Sequence, residues 1–338
     1  MLRFFRHIRK SLLGKNRFSK YLLYAVGEIL LVVIGILVAL QVDNWNETNQ
    51  NKEKVFRLLR KIQRDIEADV ASIHEAIPYY AEKDSIGNLV LNDLLTPEDY
   101  KDPNNRKLHD MVFDLLPMNM KRVGYDNLRA SQFMIPKEFD SVVEQLIYQY
   151  EEVLKIFEKT HDFLLEDVRK NEDFMFLNYD WFSDPRSYHL NEDRIDFFVN
   201  NVRYKGMVRN YHEASTEEYV DWATRYLEVA TNNYEAIYSM LGENPGPGSI
   251  YDTTALEKRY LGDYRLMTGD TVAFFISNGR IYARGARLNV LFPYGRNKFF
   301  SRNNYARFDA AGDSLYLYIM AYKSGREPAG VRINRSKN

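Results

Sequence analysis

The stretch that decides the fold is Tyr21–Val42, YLLYAVGEILLVVIGILVALQV. It holds one ionisable residue, Glu28. As a helix rising about 1.5 Å per residue it spans about 33 Å, one bilayer crossing. The chain ahead of it is short and basic, and the chain behind it is long and polar. Residues 1–20 carry Arg3, Arg6, Arg9, Lys10, Lys15, Arg17 and Lys20 and no acid, whereas the whole 338-residue chain has a formal net charge of −1. Cations ahead of the span, against Asp43 and Glu47 behind it, predict a cytoplasmic N-terminus with the bulk of the chain on the far side. The apolar run is longer than the core of a cleaved signal peptide, and no small-x-small site closes it. An uncleaved signal anchor is therefore expected.

Around this span the expected partner is the lipid bilayer. Leu2, Phe5, Ile8 and Leu12 fall on one side of a helical projection and Arg3, Arg6 and Lys10 on the other, an amphipathic segment suited to the headgroup layer. Arg9, Lys20 and Trp45 complete a set of interfacial anchors. Within the span, Glu28 lies near one-third depth, where a carboxylate is costly unless paired, protonated or turned toward protein. Coupling to a partner subunit and snorkelling toward Lys20 or a tyrosine hydroxyl both satisfy it. Gly35 and Ala39 form a small-xxx-small pair and Gly27 adds a close-approach point, so the helix is suited to association with a second copy or another protein.

The segments Phe4–Arg9, Lys20–Ile29 and Asn44–Glu47, reading FFRHIR, KYLLYAVGEI and NWNE, carry a resemblance. They resemble the opening of a family of uncharacterised single-pass proteins common in flavobacterial genomes, domain of unknown function 6090. Gly124–Gln132, GYDNLRASQ, looks like a second landmark of that family. The resemblance implies a bacterial inner-membrane anchor carrying a periplasmic helical domain, and it brings no activity.

Beyond the span, Val55, Leu58, Leu59, Ile62, Ile66, Val70, Ile73 and Ile77 recur at helical spacing, with Pro78 expected to end or kink the helix. A helical pattern resumes over 79–95. Thr96–Pro97 and Asp102–Pro103 each place a capping residue before a first-turn proline, the second opening a helix expected to reach about Leu116. Residues 137–178 form the longest periodic run, with Phe139, Val142, Leu146, Tyr150, Leu154, Phe157, Phe163, Leu164 and Val168 in its stripe. Residues 191–241 predict one bent helix or two, with Ser215 and Glu218 a capping box at the break. The aromatics Tyr148, Tyr150, Tyr179, Trp181, Phe182, Trp222 and Tyr226 fit either a packed core or a ligand groove, and core is the ordinary use of aromatics at this spacing.

Gly242–Ser249, GENPGPGS, cannot continue a helix, and after it the apolar period changes from 3.6 to 2. Thr271–Ser277 and Ile281–Ala286 flank Asn278–Gly279, a two-residue hairpin signal. Further strands are expected over 288–292, 298–300, 306–308, 314–322 and 330–333, making seven or eight short strands in a small antiparallel barrel or sandwich. Leu256, Tyr260, Gly262, Tyr264, Leu291, Pro293 and Phe299 carry a resemblance to the small lipocalin-like accessory module of some bacterial serine hydrolases. That resemblance transfers no catalysis.

The chain has no cysteine, which removes disulfides, thiolate chemistry and cysteine-held zinc. Its six histidines form no ligand pair, and neither S-x-x-K, G-x-S-x-G nor a phosphate-cradling glycine loop occurs. Basic residues after the span are interspersed with acids, so no nucleic-acid stripe forms. The sequence thus predicts a mainly α protein without cofactor, metal or catalytic residues. Its parts are a basic segment (1–20), a transmembrane helix (21–42), a periplasmic antiparallel helical bundle (43–241), a flexible linker (242–249) and an exposed β-domain (250–338). The expected role is a non-enzymatic scaffold or interaction protein of the envelope. The alternative is a periplasmic sensor or ligand-binding module signalling through a membrane partner.

Overall fold

The computed structural model describes residues 17–184, 191–243, 250–285, 287–302, 304–319 and 327–333. Its contacts separate two units, Met1–Arg57 with Ser131–Glu138, and Leu58–Ala130 with Phe139–Asn338. The first helix, α1 (Arg17–Leu91), contributes residues to both. In the first unit every residue from Leu22 to Gln50 is exposed, while Asn51 and Val55 are buried. Residues 131–138 are tied to α1 by a Lys52–Glu138 ion pair of 2.7 Å and by Lys54 over the Phe133 ring at 5.3 Å.

Pro78 lies inside α1 and does not end it. It occupies an exposed position, whereas Ile73, Ala76, Ile77 and Tyr80 on both sides of it are buried. Packing of that apolar face carries the helix through the missing N–H, overriding the local signal.

The second unit is a helical bundle with a sheet packed on it. After α2 (Pro97–Lys101), Asp102 caps a single 3₁₀ segment, Pro103–Leu108, by accepting from Asn104 N at 2.9 Å. The helix expected to reach Leu116 does not form. Residues 109–122 are turn and irregular chain, followed by α3 (Val123–Arg129). Leu108, Met111, Val112, Phe113 and Met118 of this strap are buried, so its peptide groups need partners inside the protein.

Side chains supply those partners. Lys83 Nζ donates to the carbonyls of Asp110 (2.5 Å) and Met111 (3.1 Å), and Tyr80 OH donates to Leu116 O at 2.8 Å. Ser72 Oγ accepts from Asn119 N (2.8 Å), Asp69 Oδ1 from Lys121 N (2.6 Å) and Asp65 Oδ2 from Gly124 N (2.6 Å). The strap thus descends α1 from residue 83 to residue 65. From the opposite side Asn171 Nδ2 donates to Val112 O, Tyr211 OH donates to Asp114 O, and Tyr219 OH accepts from Met118 N. At its end Gly124 lies against α1 so closely that a Cβ would stand 2.7 Å from Ile62 N.

The remaining helices pack against the inner side of the strap. α4 (Asp140–Ile147) continues through π-helical turns (Tyr148–Val153) into α5 (Leu154–Asn178). The wider turn lets consecutive residues Gln149 and Tyr150 both point inward, and Tyr150 stacks on Tyr125 of α3 at 4.6 Å. Phe163, placed in the apolar stripe by the sequence, is 61% exposed, and Leu164 beside it is buried. α6 (Glu192–Asn200) and α7 (Val202–His212) are separated at Asn201, whose side chain accepts from Arg203 N and Tyr204 N. The expected break at Ser215 is instead a second π-helical segment (Glu213–Tyr219) leading into α8 (Val220–Leu241), with Ser215 buried. Trp181, Tyr150 and Tyr226 are core residues.

Gly242 ends α8 with a left-handed φ of 70°, and most of the expected linker, 244–249, lies outside the described residues. The strands are β1 (Gly262–Leu266), β2 (Thr271–Ser277), β3 (Arg280–Arg284), β4 (Leu288–Val290), β5 (Phe292–Gly295), β6 (Lys298–Ser301), β7 (Asn304–Ala311), β8 (Ser314–Ile319) and β9 (Gly330–Arg332). They form one antiparallel sheet, ordered β4-β3-β2-β1-β9-β8-β7-β6-β5, that curls into a nearly closed barrel. Asn278 and Gly279, both at positive φ, make the predicted hairpin turn between Ser277 and Arg280. Tyr264, Phe274, Phe299, Phe308 and Leu317 fill the interior, with Phe274 and Phe308 edge-to-face at 4.8 Å. The sheet is not a free module. Arg280 binds Asn232 Oδ1 and Glu235 Oε1 of α8, each at 2.8 Å, Arg302 pairs with Glu228, and His74 of α1 meets Phe300.

Two substitutions test this architecture in the detergent-solubilised full chain. Gly124→Ala is expected to cost about 1–3 kcal/mol by forcing the strap off α1. Tyr80→Phe, which leaves the Leu116 carbonyl without its donor, is expected to cost about 1–3 kcal/mol. Urea unfolding followed by circular dichroism reads both.

Candidate functional site

Two groupings bear on function, the apolar half of α1 and the polar interior of the bundle. On α1, successive residues turn by about 100°, which puts Gly27, Glu28, Gly35 and Ala39 within about 120° of one another. The opposite side is uniformly aliphatic, with Ile29, Val33, Ile36, Leu37 and Leu40. Ile29, Val33, Ile36 and Leu40 are 46–64% exposed. Nothing stands within 4 Å of a Cβ placed on Gly27 or Gly35, so this chain's own packing does not require glycine there. Trp45 is 68% exposed a turn beyond the apolar run, and Lys20 lies in the helix ahead of it. Arg3, Arg6, Arg9 and Lys10 lie outside the described residues. Among the described residues, α1 is the one helix long and apolar enough to cross a membrane.

In the bundle a directed chain of hydrogen bonds ends on Asp69, a residue that the sequence offered no reason to single out. Asn233 Nδ2 donates to Gln149 Oε1 at 2.7 Å, Gln149 Nε2 to Tyr226 Oη at 3.0 Å, and Tyr226 OH to Asp69 Oδ2. Asp69, Gln149, Tyr226 and Asn233 are all buried. Burial pushes the Asp69 carboxyl up to about 7, against the opposing hydrogen bonds from Tyr226 and the Lys121 amide. Burial likewise lowers the Lys83 ammonium, partly offset by its contact with Asp114. His212 Nε2 meets Asp84 Oδ1 at 2.7 Å, and although burial disfavours the imidazolium, that bond and charge raise its pKa on balance.

Of these groups Lys83 and Asp69 reach backbone, whereas His212 meets the Asp84 carboxylate. Lys83 and Asp69 hold the strap, and the Asp69 chain runs from α8 through the π-helical turn to α1. Such burial shifts pKa values at structural networks as readily as at reactive centres. His109 is committed to Tyr100 O at 2.9 Å. Among the described residues no three His, Asp or Glu side chains converge in a way that would hold a metal ion. The signal for this network was the run of tyrosines, Tyr204, Tyr211, Tyr219, Tyr226 and Tyr234, at intervals of seven or eight residues. It reads as core, and the hydroxyls on that core show their use only once the strap is in place.

Because Asp69 holds a proton in the folded chain that the unfolded chain releases, its contribution to stability is full below about pH 4. That contribution is lost as pH rises through about 7. The excess stability of the native chain over Asp69→Asn should therefore shrink between pH 4 and 8, by on the order of 2–4 kcal/mol. Paired thermal unfolding curves at stepped pH measure it, and a constant difference would refute the assignment.

Residues 28–109, covering most of α1, α2 and the start of the strap, match a family of unknown function (DUF6090). No curated protein and no solved structure matches the chain. The match supports a place for the chain beside proteins of an uncharacterised family, and the lipocalin-like resemblance of the sheet finds no counterpart in it.

Proposed function

We propose that this protein is a non-enzymatic scaffold or interaction protein of a bacterial inner membrane, anchored by α1 and acting through a protein partner or a second copy. The N-terminus lies in the cytoplasm and the bundle and sheet in the periplasm. The observation that carries this reading is the exposed apolar surface of Leu22–Val42, with Gly27, Glu28, Gly35 and Ala39 sharing one side with Tyr24, Leu31, Val38 and Val42, and the opposite side wholly aliphatic. An aliphatic face suits lipid, while a small-residue face permits close helix approach and gives Glu28 a protein environment. The seven cations before the span support the orientation. Exposed Tyr148, Ile156, Phe163 and Leu177 on the helix running through α4 and α5 offer a further apolar surface for partner contact. The non-enzymatic reading draws support from the use made of the strongly perturbed groups, Asp69 and Lys83, which hold backbone.

Since the chain has no cysteine, single cysteines at Ser11 and Ser249 can be labelled cleanly. An impermeant maleimide should modify position 249 from the periplasmic side and position 11 only after the membrane is opened, and the reverse pattern would overturn the orientation. Gly35→Ile should abolish the stoichiometric partner or self-association recovered in mild detergent while leaving the thermal unfolding of the bundle unchanged. Recovery of monomer alone from the native protein would refute the interaction role.

A further inference from the structure

Charge is divided unevenly along the chain. Residues 250–338 hold fifteen Lys or Arg against seven Asp or Glu, and eleven of the fifteen are arginine, whereas residues 43–249 hold 24 against 39. The helical part is therefore strongly acidic and the β-domain strongly basic. Some of that positive charge is used within the chain. Arg280 and Arg302 meet Glu235 and Glu228 of α8, and Arg259 and Arg296 meet Glu257. Strand register shows where three of the other cations stand. Arg265 of β1 lies opposite Val331 of β9, and Val331 opposite Tyr316 of β8. Two residues along β8, Tyr318 lies opposite Arg307 of β7, which lies opposite Lys298 of β6. Side chains alternate across a strand, so these six share the outer side of the sheet, the reverse of the side on which Tyr264, Phe308 and Leu317 fill the interior. Arg265, Lys298 and Arg307 are exposed and form no ion pair among the described residues, and Arg307 lies over the Tyr318 ring at 4.4 Å. Asp263 and Asp309 are the acids of that side on these five strands.

We propose that this outer side of the β-domain docks on a bilayer surface bearing anionic phospholipid, with Arg265, Lys298 and Arg307 on the phosphates and Tyr316, Tyr318 and Val331 in the headgroup layer. An arginine fork matches phosphate by paired N–H donors, and each further cation near an anionic leaflet adds to the attraction. Tyrosine, apolar in its ring and polar at its tip, is a side chain that settles at the membrane–water boundary. The mixture favours lipid over an acidic protein, because tyrosine and valine beside arginine match the layered change from phosphate to acyl chain. Charge also sets the approach. An anionic surface attracts the β-domain and repels the helical part, so the chain meets it one way round. The inference does not use the scaffold role, and it rests on the membrane reading only for the nearness of a bilayer.

Flotation of the full chain, held in nanodiscs of neutral phosphatidylcholine and mixed with separate vesicles, tests it. At low salt, vesicles of equimolar phosphatidylglycerol and phosphatidylcholine should capture the nanodiscs about tenfold more strongly than pure phosphatidylcholine vesicles, and high salt should remove the difference. Arg265→Gln, Lys298→Gln and Arg307→Gln together should weaken capture by about tenfold or more. The same loss of charge through Lys155→Gln, Lys159→Gln and Lys170→Gln of α5 should leave it unchanged, so that position and not net charge is read. All six side chains are exposed, and unchanged thermal unfolding will report that both variants keep the fold. Retention of the chain in the nanodisc reports the anchor separately. Equal capture by neutral vesicles, no capture by anionic ones, or native capture by the first triple variant would overturn the proposal. So would salt-sensitive clustering of nanodiscs in place of vesicle capture, which would assign the face to the acidic helices of a second copy.

Discussion

The constraint on which the second unit depends is the burial of a chain segment that has no regular secondary structure. Residues 109–122 lie along the bundle with Met111, Val112, Phe113 and Met118 turned inward and Asp114, Pro117, Asn119 and Lys121 exposed, so the peptide groups on the inner side lose water. A helix or a strand would satisfy those groups within the backbone. Here they are satisfied by side chains from α1, α5, α7 and the second π-helical segment. An unsatisfied buried peptide group costs about 1–3 kcal/mol, so the donors and acceptors facing the strap are as necessary to the fold as its apolar core.

Much else depends on that requirement. Tyrosine is the side chain that fills core volume and still delivers a hydroxyl, which is why Tyr80, Tyr211 and Tyr219 stand around the strap in positions where phenylalanine would pack as well. Asp65, Asp69 and Ser72 succeed one another at helical spacing on α1 because each must meet an amide of a chain running the other way. The π-helical turns belong to the same arrangement, since one brings Gln149 to Tyr226 and the other ends at Tyr219. The sheet then closes over helices already positioned, through Arg280 and Arg302 on α8 and Phe300 on His74.

This use of polar side chains moves attention from the interior to the surface. Buried Asp69, Lys83 and Tyr80 hold the strap, while the apolar half of α1 and the exposed stripe along the fourth and fifth helices face outward.

The sequence alone determined the membrane-length helix, the caps at Thr96 and Asp102, the hairpin at Asn278–Gly279 and the change from helix to strand after Gly242. Each is a local signal, set by hydropathy, by a proline or glycine, or by a period within a few turns. Only the tertiary structure decided the rest. Pro78 stays inside α1 because buried neighbours on both sides hold the helix together. The segment after Leu108 leaves the helix its composition allows because Lys83, Tyr80 and Asp69 offer its peptide groups partners from more than twenty residues away. Gly124 is glycine because the backbone of Ile62 leaves no room for a Cβ. Such effects arise between distant parts of the chain, and a reading of local pattern has no access to them.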